Sequence, residues 1–231
     1  MKTEKKILSK EVISWAFYDW ANSAFATTVI AGFFPIFFKS FWANSLSDTE
    51  STALLGLANS LSGFFILIFA PFLGALADIT FRKKYMLVFF MLIGAGSTAS
   101  FFFIYEGYWM IAVIAYILAS IGFSGGNIFY DSLIIDVSND QSRNQVSAFG
   151  YAMGYLGGGI LFVVNVLMYL QPNIFGLASE IDAVLFSFLS VAIWWSIFTL
   201  PLIKFVRERK GEITSLSLTS TVMNSFFRVI N

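Results

Sequence analysis

The sequence ALLGLANSLSGFFILIFAPFLGALADITFRKK occupies residues 53–84 and contains an uncharged run followed directly by a charged turn. Residues 53–77 include no Asp, Glu, Lys or Arg. An α-helix needs about 20 apolar residues to cross the hydrocarbon core of a bilayer, so this run is long enough to span it. The charged turn would then lie at the membrane surface. We therefore predict a transmembrane helix that ends near Asp78.

Five further apolar runs have a similar length, and short polar segments separate them. Lipid offers no hydrogen-bond partner to the backbone, so spanning segments form helices or closed barrels. The alternation of a barrel strand is absent from these runs. The sequence therefore predicts an all-α membrane protein, a bundle of six transmembrane helices between residues 12 and 203. The predicted helices are 12–38, 53–77, 85–105, 109–135, 146–170 and 182–203.

Composition supports the same class. Hydrophobic residues make up 58% of the chain and charged residues 12%, with a mean hydropathy of +0.77, whereas a soluble domain carries about 25% charge. The chain has no Cys and no His, which removes disulfides, thiolate chemistry and histidine metal sites. We expect no metal and no cofactor. The formal net charge is zero, and membrane lipids rather than nucleic acid are the expected surroundings.

The positions of Lys and Arg predict the orientation. With a cytoplasmic N-terminus, 13 of the 14 basic residues fall on the inside and Lys39 alone falls outside. Residues 1–11 and 204–231 would then be cytoplasmic, and a bacterial inner membrane is the expected location. Apolar residues recur at near-helical spacing after Gly211, which fits an amphipathic helix on the membrane surface, although a disordered tail fits equally well.

The charged turn after the second predicted helix resembles the loop signature of the major facilitator superfamily. The match covers Gly74, Asp78, Arg82 and Lys83, together with Leu76 and Ala77. Ile79 and Phe81 depart from the family pattern. The resemblance implies a solute transporter whose six helices form the N-terminal half, built as a 3+3 inverted repeat.

In that superfamily the turn belongs to a cytoplasmic gate. Gly74 would let a neighbouring helix approach closely, and Arg82 could hold Asp78 with a bidentate contact. A carboxylate near the end of the fourth helix often joins the cluster, and Asp131 or Asp136 could take that place. Basic residues in a short inside loop also follow the positive-inside rule without any further role.

The first predicted helix contains WAFYDWANSAF at residues 15–25. Asp19 lies about seven residues into this helix, roughly 10 Å deep at 1.5 Å per residue. An ionisable residue at that depth suggests a functional site. Tyr18, Asn22 and Ser23 lie close to it in sequence, and Asn22 and Ser23 follow one turn later. Alternatively, Asp19 is bonded structurally to a neighbouring helix within an aromatic belt.

Three segments together resemble a narrower branch, the vacuole-effluxer (autophagy-related) proteins and their bacterial relatives. They are residues 15–23, the glycine-rich stretch 150–159 and the stretch 127–133, where Asp131 replaces the usual Asn. The resemblance covers most of residues 14–205. It implies a small transported solute, with amino acids exported by the fungal members, and alternating access as the mechanism.

Further candidate residues follow from helix chemistry. Gly150, Gly154 and Gly158 recur every four residues, a spacing that permits close helix contact, either static or sliding. Asn59 and Asn127 are candidate lining groups, although single polar residues often only bond between helices. Burial disfavours the charged form of a carboxylate, so proton coupling through Asp19 or Asp131 is a hypothesis.

Six helices are half of the number that the superfamily generally uses, so three interpretations stay open. The chain could work with a separate C-terminal half, form a homodimer, or be inactive. Two other classes also remain. Paired carboxylates at Asp19 and Asp131 could serve an intramembrane aspartyl hydrolase, although its Gly-x-Gly-Asp element is absent. A scaffold protein would instead seal or expose to lipid the polar residues Asp19, Asn22, Asn59 and Asn127.

Overall fold

The computed structural model describes residues 8–80 and 82–209, without the side chains of residues 76–80. Within these ranges the chain forms helices and no strand. Six helices are long and apolar enough to cross a membrane, which confirms the predicted all-α bundle. In chain order they are α1 (Lys10–Trp42), α2 (Asp48–Thr80), α3 (Lys83–Phe103), α4 (Trp109–Val137), α5 (Arg143–Leu170) and α6 (Glu180–Phe205). A 3₁₀ turn, Pro172–Phe175, precedes α6.

The predicted helices agree with the observed ones to within a few residues, except at the end of α1 and at the start of α2, which begins at Asp48 and not at residue 53. The prediction ended α1 at residue 38, whereas this helix continues to Trp42 and places Lys39 in its last turn. Trp42 explains the extension, because its side chain is fully buried and its indole N–H donates to the carbonyl oxygen of Ile104 at 3.1 Å. Lys39 donates to the Thr52 hydroxyl at 2.8 Å.

Helix α1 is not regular along its length. An α-helical part, Lys10–Ala24, is followed by π-helical turns at Phe25–Phe33 and Phe38–Trp42. π-helical turns are rare and often occur at functional sites. At the start of the first one, the Thr27 hydroxyl lies 3.1 Å from the carbonyl oxygen of Gly158 on α5, so it can donate a hydrogen bond between the helices.

The helices pack so that α1 contacts α5 and α6, and α3 contacts α4 and α6. Close backbone contact joins α3 to α4 at Gly94 and Gly122, where a Cβ added to Gly122 would overlap the Gly94 backbone. Helix α2 packs mainly on α4, and 11% of its apolar stretch is buried against 44% for α4. A broad apolar face of α2 is therefore left for lipid or for another helical bundle.

The ends of the bundle differ in charge. We call the end where α1 begins the basic end, and its described basic residues are Lys10, Arg82, Lys83, Lys84, Arg143, Lys204, Arg207 and Arg209. The opposite end has Lys39 and the acidic residues Asp48, Glu50, Glu106, Glu180 and Asp182. Among the described residues, Lys and Arg are therefore concentrated at one end of the bundle, as the sequence predicts. Residues 1–7 and 210–231, including the predicted amphipathic helix, lie outside the described residues.

Candidate functional site

A polar groove runs between α1, α4 and α5. It consists of two adjoining clefts of about 130 Å³ and 290 Å³, and both are lined by Asp19, Asn127 and Tyr151. The first cleft is nearer the basic end and also has Asp131 in its wall. The second continues along the first part of the π-helical region of α1. The groove therefore brings carboxylate, amide and phenol groups of three helices into one space.

Asp19 is the half-buried carboxylate at the centre of this groove. It accepts a hydrogen bond from the Ser23 hydroxyl at 3.1 Å, one turn along α1. The opposite wall at this level is Gly154 of α5, where an added Cβ would lie 2.8 Å from both the Asp19 carboxyl carbon and the Ser23 hydroxyl oxygen. The missing side chain at position 154 is thus what leaves room for the carboxylate.

Two contacts between α1 and α4 flank Asp19. The Asn22 amide donates to the Asn127 side-chain oxygen at 2.5 Å. One turn before Asp19, the Trp15 indole N–H donates to the carbonyl oxygen of Tyr130 at 3.0 Å. The Trp15 and Tyr130 rings also stack, with centroids 4.3 Å apart. These contacts fix the distance between the two helices on both sides of the carboxylate.

A charged cluster, the second polar region, lies at the basic end. Lys83 at the start of α3 forms an ion pair with Asp136 at the end of α4, with 3.1 Å between Nζ and Oδ2. Both side chains are buried, at 8% and 3% exposed. The Lys83 ammonium also donates to the carbonyl oxygen of Ser132 at 3.1 Å. The pair therefore holds the ends of α3 and α4 together.

Residues 206–209, which follow α6, complete the charged cluster. The Glu208 carboxylate accepts from the backbone N–H groups of Lys83 and Lys84, each at 3.0 Å. These are the first two N–H groups of α3, which have no partner inside the helix, so Glu208 caps α3 from a distant part of the chain. The backbone N–H of Arg209 donates to Asp136 at 2.9 Å, and the Lys84 ammonium donates to the carbonyl oxygen of Val206 at 2.7 Å.

Residues 42–137 and 135–231 match the family described as vacuole effluxer Atg22 like. The chain belongs to this family. An uncharacterized MFS-type transporter of Bacillus subtilis (strain 168), YxiO, is 38% identical over 206 residues, which are 88% of this chain and 48% of that protein. An uncharacterized protein of Aquifex aeolicus (strain VF5) is 24% identical over 78% of this chain and 45% of its own length. The chain thus spans about half the length of these relatives.

Solved structures of major facilitator transporters share the fold of this Atg22-like chain. The xylose transporter XylE from E. coli, in an inward-open conformation, has a TM-score of 0.58 and 18% identity, covering 96% of this chain and 55% of XylE. The proton:xylose symporter XylE bound to 6-bromo-6-deoxy-D-glucose gives 0.64 and 17%, covering 96% and 48%. At this identity the likeness shows the fold alone, that of one half of the superfamily bundle.

The structure places the predicted site residues of this Atg22-like protein in three positions. Asp19, Asn127 and Asp131 line the polar groove. Tyr18 and Asn22 are buried behind the groove wall, between α1 and α4. Asn59 lies apart from them on α2, where it is exposed and accepts a hydrogen bond from the Tyr116 hydroxyl at 2.9 Å.

Sequence reasoning missed the contribution of α5 to the groove of this family member. Ser147, Tyr151 and Tyr155 line it and recur every four residues. Each of the two tyrosines directly follows a glycine, Gly150 or Gly154. Tyr151 and Tyr155 are 67% and 80% exposed, although each directly follows a glycine that lies against neighbouring side chains. This spacing is the signal that could have identified them.

Of the predicted gate residues, Lys83 and Asp136 form the charged cluster described above. The side chain of Asp78 lies outside the described residues, and the Arg82 side chain is exposed. A Cβ added to Gly74 would meet nothing within 4 Å, so the close helix approach expected there is absent from the described part of this Atg22-like chain. Gly150, Gly154 and Gly158 do lie against neighbouring side chains or backbone, mainly those of α1.

Proposed function

We propose that this chain forms the N-terminal half of a secondary active transporter that moves a small polar solute by alternating access. The observation that carries the proposal is the polar groove, in which Asp19 and Asn127 face an open space inside an otherwise apolar bundle. Ionisable residues at membrane depth are costly and mark solute or proton pathways. Family membership and the half-bundle fold support the same function.

The groove is open on one side, and this opening is an argument for a second bundle that forms its other wall. Tyr155 is 80% exposed on this side, and the relatives are about twice as long as this chain. In transporters of this architecture the solute site lies between two halves, near the bilayer midplane. The second half would be a further C-terminal bundle or, alternatively, a second copy of this chain. Amino acids are the first solutes to test.

The charged cluster has a proposed role in the gate. It joins the ends of α3 and α4 to residues 206–209 at the basic end, which we propose to be cytoplasmic in a bacterial inner membrane. The cluster would keep this half rigid while it rocks against the other half. The groove carboxylate Asp19 is the proposed proton-coupling residue, because the charged form of a carboxylate is disfavoured by burial.

Uptake into proteoliposomes tests the proposal. The chain is reconstituted with the polypeptide that supplies the remaining helices, and amino acid uptake is followed with and without a pH gradient. We expect Asp19→Asn to abolish gradient-driven uptake and Asp140→Asn to leave it unchanged, because the Asp140 side chain is 92% exposed outside the groove. Uptake by the Asp19→Asn protein equal to that of the parent would reject the coupling role.

One observation favours the hydrolase as a second candidate, since Asp19 and Asp131 line the same cleft. Paired carboxylates can share a proton and activate water. A hydrolase would turn over peptide substrates in detergent solution, whereas a transporter needs a sealed vesicle to show activity. The scaffold hypothesis expects Asp19, Asn22, Asn59 and Asn127 all to be sealed in packing or to face lipid, and the open clefts beside Asp19 and Asn127 favour the transporter over it.

A further inference from the structure

We propose that the polar groove binds its solute through a positively charged ammonium nitrogen, and that this chain supplies the wall which receives that nitrogen. The inference deepens the proposed function and rests on it for the transport step, whereas binding itself can be measured separately. Three features of the groove carry it: its charge, its aromatic surface and its volume.

The ionisable groups of the groove wall include carboxylates and no cations. Asp19 and Asp131 line the clefts, and no Lys or Arg does. The polar neighbour of Asp19 on α1, the Ser23 hydroxyl, is a neutral donor and supplies no positive charge. A concave wall with one sign of charge and apolar surroundings concentrates ligands of the opposite sign.

The nearest basic residues along the groove helices have other contacts. Lys10, at the start of α1, lies 3.6 Å from the centre of the Phe205 ring. Arg143, at the start of α5, is bonded to Asp140 at 2.6 Å. Helix α4 contains neither Lys nor Arg. Within the described residues of these three helices, no basic side chain is therefore placed to neutralise Asp19.

Aromatic rings also line the wall, namely those of Trp15, Tyr130 and Tyr151 in the first cleft and Phe123, Tyr151 and Tyr155 in the second. Tyr151 and Tyr155 are largely exposed, and within the described residues neither makes a ring–ring contact. Ring faces attract cations within about 6 Å, and alkylammonium groups are recognised this way. The hydroxyl of Tyr130 is buried in the wall and has no hydrogen-bond partner in the described structure.

The space and the donor set fit an organic cation better than a metal ion. Clefts of about 130 Å³ and 290 Å³ accommodate a small molecule. No group of three or more acidic, His or Cys residues in the described part of the chain could hold a metal. Calcium needs six to eight oxygen ligands, and two carboxylates beside aromatic rings do not supply them.

Binding by the complete chain in lipid nanodiscs tests the inference. The probes are choline, ethanolamine and 3,3-dimethyl-1-butanol, which has the shape of choline without the charge. We expect choline and ethanolamine to bind about tenfold more tightly than the neutral alcohol, by calorimetric titration. Asp19→Asn should remove this preference, and Asp140→Asn, which changes a carboxylate outside the groove, should retain it.

A second pair of variants tests the aromatic contribution. Tyr155→Leu should weaken choline binding by about threefold to tenfold, whereas Tyr155→Phe, which keeps the ring, should bind choline as the parent does. Tyr155 is 80% exposed, so neither change disturbs the packing of α5. Equal choline affinity in the Leu and Phe variants would show that the Tyr155 ring does not contribute to choline binding.

The outcomes separate this inference from the proposed function. Equal affinity for choline and the neutral alcohol, or no binding of any probe, overturns the ammonium site. Transport of neutral or anionic solutes without preference for amines overturns it as well and leaves the transporter proposal standing. Amine binding without transport of any solute, when both halves are present in sealed vesicles, supports the site and contradicts the transporter.

Discussion

Two carboxylates on α4, those of Asp131 and Asp136, have opposite surroundings although they are only five positions apart in the chain. Asp136 is 4% exposed and is held by the Lys83 ammonium and the backbone N–H of Arg209. Asp131 is exposed and lines the polar groove, where no basic side chain lines the wall. Carboxylates that have ionic partners hold helix ends together, and carboxylates that lack them remain available to a solute.

This difference predicts opposite consequences for stability. Removal of one member of a buried ion pair leaves the other charge in the interior without compensation, which is strongly unfavourable. Substitution of a groove carboxylate by its amide removes a group that has no Lys or Arg partner in the groove wall. Substitutions in the two regions should therefore separate the residues that hold the fold from those that bind.

The largest effect is expected for Lys83→Met, which removes the ammonium group that is buried against the carboxylate of Asp136. The free energy of unfolding should fall by about 3–5 kcal/mol. Thermal unfolding in detergent micelles measures it, with Arg143→Met as the control, because the exposed pair of Arg143 and Asp140 is worth about 0–1 kcal/mol. Equal losses in the two variants would contradict the distinction between buried and exposed pairs.

Gly157→Ala should have the next largest effect. A Cβ at this position would overlap the backbone oxygen and the indole of Trp20, so α5 would have to move away from α1. Overpacking of this kind costs about 1–3 kcal/mol. Gly159→Ala, two positions along α5, is the control, since its Cβ would meet nothing within 4 Å. If thermal unfolding shows the same loss for both, the close contact between α1 and α5 is not the cause.

Glu208→Gln tests the cap on α3. The neutral amide keeps one acceptor oxygen and loses the charge, so we expect a loss of about 1 kcal/mol, similar to that of a helix cap. Hydrogen exchange of the Lys83 and Lys84 amides gives a local readout, and both should exchange faster. Glu106→Gln, at the opposite end of the bundle, should leave their exchange unchanged. Unaltered protection in the Glu208 variant would exclude the cap.

Asp19→Asn should have the smallest effect on stability, within about 0.5 kcal/mol of the parent and in the stabilising direction if it differs. The amide keeps the size of the side chain and its contact with Ser23, and it removes a charge at membrane depth. The same variant should lose transport. A destabilisation as large as that of Lys83→Met would show that Asp19 belongs with the structural carboxylates.

The fold was predictable because the thickness of the bilayer sets the length and the apolar composition of a helix that spans it. Each predicted span begins and ends within a few residues of the observed helix, apart from the end of α1 and the start of α2. The π-helical turns at the end of α1 follow from the packing of Trp42 against other helices, which a local pattern does not contain. Asn59 illustrates the same limit, because a polar residue in a span carries no sign of which helix it faces.

The candidate site was predictable where its chemistry is unusual for a membrane. Asp19, Asn127 and Asp131 stand out as polar groups inside apolar runs, and all three line the groove. Tyr151 and Tyr155 were missed because tyrosines are ordinary in such helices, and only their register with the glycines marks them. Glu208 was missed because its partners are backbone N–H groups 124 and 125 residues away in the chain.

The attachment of residues 206–209 decides where the polypeptide leaves this bundle. Arg209 is bonded to the end of α4, through its backbone to Asp136 and through its guanidinium to the carbonyl oxygen of Ser138 at 2.9 Å. The exit point therefore lies beneath α4 and not beneath α6, from which the chain has just emerged. A short label joined directly after Arg209 would therefore report the position of the end of α4.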